Sequence, residues 1–203
     1  MTNISDYFYE EVEELKENKF ALLPCPNRTV FYGSSSFRLW NNMEENLNRK
    51  DIINLGFGGS TLEAANFYFE SLVIPFQPKS IVFYGGDNDI GNGDTPEIIA
   101  QNLFKFLRKI ETHVGSNYPF TFVSIKPSVE RAHMIPDIQK SNKLIQNELA
   151  KWPNKHYIDI HFEMLNNDGT VREELFIEDG LHMNQLGYDI WTKAILNRAD
   201  DIF

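Results

Sequence analysis

The chain has 203 residues, enough for one α/β domain with a sizeable core. Its 19 Lys and Arg stand against 29 Asp and Glu, a formal net charge of −10. An acidic chain without a basic block repels phosphate backbones, so no nucleic-acid partner is expected.

Residues 1–20 open the chain with Ile4, Phe8, Val12 and Leu15 at helical spacing, which predicts an amphipathic helix lying on the outside. This segment is acidic and has no apolar core of signal-peptide length. No run in the chain approaches the roughly eighteen apolar residues that span a bilayer. The expectation is therefore a cytoplasmic protein with no membrane partner. Cys25 is the only cysteine, which excludes an internal disulfide. Between Pro24 and Pro26, in a loop ahead of the first strand, it reads as structural rather than nucleophilic.

From there the pattern alternates. Apolar runs at residues 30–32, 52–55, 81–84, 120–125 and 157–160 read as five short strands. Helical patterns fall near 37–47, 61–72, 97–110, 136–152 and 185–198, the third with Ile99, Leu103, Phe106, Leu107 and Ile110 on one stripe. Strands alternating with helices imply parallel crossovers, and strands this uniformly apolar imply burial on both faces. No repeat or linker interrupts the pattern, so residues 1–203 are expected to form a single three-layer domain. Ligands in such folds bind outside the carboxyl ends of the strands.

Four groups of residues carry chemistry. The first, Gly33-Ser34-Ser35-Ser36, places serines at a glycine turn between a strand and a helix. A hydroxyl there is lifted off the strand end, and helix N–H groups face whatever it attacks. Serine also caps helices, so this turn by itself is weak. The second, Asn54-Leu55-Gly56-Phe57-Gly58-Gly59-Ser60-Thr61, lacks the third glycine of a dinucleotide fingerprint and the lysine of a P-loop. The Gly59 N–H suits an oxyanion better than a phosphate. The third runs from Gly85 to Asp94, and it fails the calcium-loop template at three positions counted from Asp87. Its alternatives are a polar turn, or a site in which Asn88 is an amide donor. In the fourth, Asp179-Gly180-Leu181-His182, an Asp three residues before a His is placed to hold Nδ1 and leave Nε2 as a base. His113, His133, His156 and His161 have no comparable neighbour in the sequence and read as surface or packing residues. Together the groups supply a nucleophile, an oriented base and oxyanion donors, the set that acyl transfer needs.

In order and spacing, these four blocks resemble those of the SGNH (GDSL-type) hydrolase family, in the variant with Gly-Ser-Ser-Ser in the first block. The resemblance spans residues 33–182. It implies a flavodoxin-like sheet of five parallel strands and an esterase or acylhydrolase activity. By position, Ser35 matches the nucleophile, Ser35, Gly59 and Asn88 the oxyanion donors, and Asp179 and His182 the rest of a triad. Ser34 stands where the family name has Asp and Ser36 where it has Leu. Three serines in a row leave Ser34 and Ser36 as alternatives by register. Lys126 and Arg131, in a segment also similar to members with this variant, receive no catalytic role. They either border the pocket or belong to a solvated loop.

The expected partner is a small-molecule ester, with no cofactor and no metal. A chain this short leaves little for a lid or acyl tunnel, which favours acetyl-sized groups on a sugar or other small alcohol. Lysophospholipase or thioesterase activity is the alternative and requires an apolar groove. Trp40 and Phe57 are candidates to line either site. The rival from another class is a non-catalytic module binding a sugar or nucleotide.

Overall fold

The computed structural model describes residues 4–23 and 26–203. Cys25, with Pro24, lies outside the described residues, as do residues 1–3. Five strands, β1 (Thr29–Gly33), β2 (Ile52–Gly56), β3 (Ser80–Tyr84), β4 (Phe120–Val123) and β5 (Lys155–Ile158), form one sheet in the order β2-β1-β3-β4-β5. Every neighbouring pair is parallel. Strand order reverses at β1, so a crevice opens between the carboxyl ends of β1 and β3.

The alternation of side chains along each strand divides the core into two layers. Val30, Tyr32, Ile53, Leu55, Ile81, Phe83, Phe120 and Phe122 face one side. They pack on α2 (Tyr9–Phe20), α5 (Leu62–Leu72), α7 (Pro96–Val114) and α8 (Ile135–Leu149). Phe31, Ile52, Val82, Tyr84, Val123 and Ile158 face the other. There they meet α3 (Ser35–Arg38), α4 (Met43–Leu47), α9 (Gln185–Leu196) and α10 (Ala199–Ile202). Short α1 (Ile4–Tyr7) precedes α2, and α6 (Asp87–Gly91) follows β3. The predicted stripe of α7 is buried at all five positions. The arrangement is the three-layer, flavodoxin-like α/β fold with its five-stranded parallel sheet.

Three local expectations change. The helix expected over 37–47 is two pieces, α3 and α4, because the chain leaves the helix at Leu39 and restarts at Met43. The N-terminal helix breaks at Phe8, and it is not merely external. Phe8 and Val12 are core residues, and the Phe8 ring meets Phe57 edge-on at 5.5 Å. Of the residues behind that prediction, the Ile4 side chain lies outside the described part. Finally, β5 begins two residues earlier than its apolar run, because Lys155 takes the register position opposite Phe120. No helix among the described residues is long and apolar enough to cross a membrane.

Candidate active site

The first group is held by the meeting of β1 and β3. Gly33 has φ +137°, and a Cβ there would lie 1.8 Å from the Tyr84 carbonyl oxygen, so no other residue fits the end of the strand. Ser34 then donates its N–H to that same carbonyl at 3.0 Å, and α3 starts at Ser35. Which serine is presented is decided here. Ser34 and Ser36 are 0 % and 2 % exposed, whereas Ser35 is 7 % exposed and its Oγ lies 3.0 Å from His182 Nε2. The Ser35 N–H belongs to the first turn, whose donors have no acceptor within the helix.

The Asp179–His182 loop lies just before α9. Asp179 Oδ1 accepts the backbone N–H of Leu181 at 2.8 Å and of His182 at 2.9 Å, while Oδ2 lies 2.6 Å from His182 Nδ1. One carboxylate therefore folds the loop and orients the ring. Burial works against its charge, but the hydrogen bonds from the His182 ring and the two backbone N–H groups outweigh that, holding its pKa at about 2. The loop is tied down on both sides. Glu130 donates its N–H to the Gly180 carbonyl at 3.0 Å, and the Asn184 side chain caps α9 at the Leu186 N–H. Tyr188, on α9, donates its hydroxyl to the Ser36 carbonyl at 3.0 Å, linking this helix to the serine turn.

The two expected oxyanion donors are neighbours. Asn88, on α6, donates from Nδ2 to the carbonyl of Ser60, the residue after Gly59, at 3.1 Å. Its Oδ1 accepts from Arg131 Nη2 at 3.2 Å. The acidic segment around Asn88 is divided: Asp87 and Asp89 are buried, while residues 91–93 end α6 in an exposed turn. Asp89 accepts the Leu62 N–H at the start of α5, at 3.0 and 3.2 Å. Burial raises its pKa to about 7 despite that bond. Asp87 lies 3.3 Å from Arg131 Nη1 and 3.6 Å from Lys126 Nζ. Lys126 is 1 % exposed, so it does not lie in a solvated loop, and burial lowers its pKa against the pull of Asp87.

The structure joins Ser35, His182 and Asp179 in one line of contacts and sets Asn88 against the carbonyl of Ser60, next to Gly59, and it involves residues the sequence did not point to. Glu11, on α2, accepts the Gly58 N–H at 2.6 Å and lies 3.3 Å from Arg38 Nε. Nothing in the local sequence around Glu11 distinguishes it from its acidic neighbours. Asp87 and Asp89 stood within the third group without roles. Trp40 and Phe57 do not line the site. Both are buried, Trp40 stacked on Tyr188 at 5.1 Å and Phe57 in the core. His113 and His156 do have carboxylate neighbours, Glu70 at 3.5 Å and Asp201 at 3.8 Å, but the only imidazole hydrogen-bonded to a serine among the described residues is His182. His161 is buried, with Nδ1 3.2 Å from the Ile125 carbonyl.

A serine hydroxyl, an imidazole and a carboxylate in a hydrogen-bonded line, beside amide donors at the carboxyl edge of a parallel sheet, can carry a proton away from an attacking oxygen and hold the resulting oxyanion. Fold and site together define a serine hydrolase of the α/β class. The model of the GDSL-like lipase/acylhydrolase family matches residues 29–190, and the chain belongs to that family, whose members act on ester bonds. Platelet-activating factor acetylhydrolase IB subunit alpha1 of Bos taurus is 26% identical over 174 residues, covering 82% of this chain and 72% of its own. A GDSL-like lipase from Bacteroides thetaiotaomicron has the same fold, with a TM-score of 0.73 at 19% identity, over 92% of this chain and 97% of that one. The acetyl xylan esterase AlAXEase does so with a TM-score of 0.69 at 18% identity, over 84% and 98%.

Proposed function

We propose that the protein is a serine esterase removing short acyl groups, acetyl above all, from a sugar or other small alcohol, with Ser35, His182 and Asp179 as its triad. The observation that carries this is the continuous line of contacts from Ser35 Oγ to His182 Nε2 at 3.0 Å and from His182 Nδ1 to Asp179 at 2.6 Å. With the Nδ1 proton donated to Asp179, Nε2 accepts the Ser35 proton as Oγ bonds to the ester carbonyl carbon. The N–H groups of Ser35 and Gly59 and the free amide hydrogen of Asn88 hold the oxyanion. On collapse, the C–O bond to the alcohol breaks and His182 returns its proton to that oxygen. Water then adds to the acyl-enzyme by the same route and releases the acid.

Two features support a short acyl group. The His182 and Asp179 side chains are 23% and 44% exposed, so the base sits near the surface rather than at the foot of a tunnel. Two similar proteins, the acetylhydrolase subunit and the xylan esterase, are both named for acetyl esters. The acetylhydrolase also favours a second reading, a lysophospholipase-like activity that removes longer acyl chains. A panel of p-nitrophenyl esters from acetate to decanoate tests the proposal, together with fluorophosphonate labelling mapped by mass spectrometry. Turnover falling steeply beyond butyrate, with the label on Ser35, is the expected result. A preference for decanoate would move the assignment to the lipid reading. Absence of both labelling and turnover would leave a binding module.

A further inference from the structure

An amide side chain can donate to an oxyanion only when its nitrogen, not its oxygen, faces the site, and the two ends have nearly the same shape. The surroundings of Asn88 decide between them. A guanidinium has donors only, so Arg131 Nη2, at 3.2 Å, can pair with Oδ1 alone. The Ser60 carbonyl is an acceptor only, so at 3.1 Å it can pair with Nδ2 alone. With these two partners satisfied, one N–H of Asn88 is left over.

Arg131 is itself held in place. Asp87 lies 3.3 Å from Nη1, and Gly91 leaves the room the guanidinium occupies, since a Cβ at position 91 would lie 2.8 Å from Nη2. Asp87 also faces Lys126 at 3.6 Å, so a buried lysine and a half-buried arginine share one buried carboxylate. Such a cluster is costly to bury, and it is retained directly against the amide that the proposed chemistry needs. We infer that Arg131 is a positioning residue that locks the Asn88 amide with its nitrogen toward the oxyanion, and that Asp87 and Gly91 serve to seat it. This rests on Asn88 being an oxyanion donor, and it assigns the chemistry of that donor to a residue that does not touch substrate.

The test is a double-mutant cycle on p-nitrophenyl acetate hydrolysis with Asn88→Ala, Arg131→Met and the pair. Removal of Arg131 leaves Asp87 with Lys126, one buried charge of each sign, so the fold is expected to persist, as thermal melts check. Losing the lock should cost about 10- to 100-fold in kcat, less than the roughly 100- to 1,000-fold for losing a donor outright, with KM within about twofold. In the Asn88→Ala background, Arg131→Met should cost nothing more, because the amide it orients is gone. A merely structural role predicts the same loss in both backgrounds, and that result, or no loss in the single variant, overturns the inference. Should Arg131→Met fail to fold, Arg131→Leu with Lys126→Met, which empties the cluster of both cations beside Asp87→Asn, takes its place in the same cycle with the same two outcomes. An Asn88→Ala enzyme with undiminished kcat instead overturns the oxyanion assignment itself, and this inference with it.

Discussion

Oε1 of Glu11 accepts the N–H of Gly58 at 2.6 Å, across 47 residues of sequence. Glu11 belongs to α2, which lies outside the span that the family model matches. Through this bond and its approach to Arg38, the N-terminal segment braces the Gly58 loop and the helix that begins at Ser35. Glu11→Ala should lower kcat by roughly 3- to 30-fold, a fraction of the loss of a direct donor, with little change in KM. Glu11→Gln keeps an acceptor oxygen and should restore most of it. Steady-state kinetics of the two variants checks this, and equal losses in both would place the effect on charge rather than on the Gly58 bond.

The serine register makes a sharper prediction. Ser35→Ala should reduce kcat by at least about a thousandfold, as loss of a nucleophile does in triad enzymes. Ser34→Ala and Ser36→Ala, whose hydroxyls are buried and make no hydrogen bond to His182, should retain activity within about tenfold. Active-site labelling of the three variants provides the check. A label that survives in Ser35→Ala and vanishes in Ser34→Ala would shift the nucleophile by one residue.

Asp179 is held at about pKa 2 by groups that exist only in the folded protein. Its folded value lies below the unfolded one of about 3.9, so its contribution to stability is present above pH 4 and is lost as pH falls toward 2. The carboxylate therefore stays charged from pH 5 to 9. Asp179→Asn should lower kcat by about 1,000- to 10,000-fold at every pH from 5 to 9, as expected for a histidine that loses its orienting partner. A pH–rate profile of this variant that recovers wild-type activity at high pH would contradict the role given to the carboxylate.

Asp89 behaves in the opposite sense. Burial raises its folded pKa to about 7, above the unfolded value of about 3.9. Between those values the folded state binds the extra proton, so stability from this group falls as pH rises from 4 to 7, by up to about 1.4 kcal/mol per unit. Asn at this position keeps an oxygen for the Leu62 N–H and cannot ionise. Asp89→Asn should gain stability relative to wild type at pH 8 and lose that advantage at pH 4, as chemical denaturation at the two values would read out. A difference that does not change with pH would mean that Asp89 does not titrate in this window.

Much of this protein was legible in its residues taken in order. Continuous apolar runs became five parallel strands because a sheet covered on both faces requires them, and the α7 stripe was buried where its period put it. The Asp179–His182 pair was legible too, since residues three apart in a tight loop meet whatever the rest of the chain does. What only the tertiary structure decided lies between residues far apart. Ser35 and His182 are 147 positions apart, Asn88 and Arg131 are 43, and periodicity speaks only of neighbours within a turn or along a strand. Three consecutive serines are chemically alike until β3 closes over Gly33 and turns one of them toward an imidazole. Trp40 and Phe57 could not be assigned to pocket or core from their type, and Lys126 reads as solvated until the chain is seen to surround it. Burial and hydrogen-bond partnership are properties of the assembled molecule, and here they chose which of the candidate groups could act.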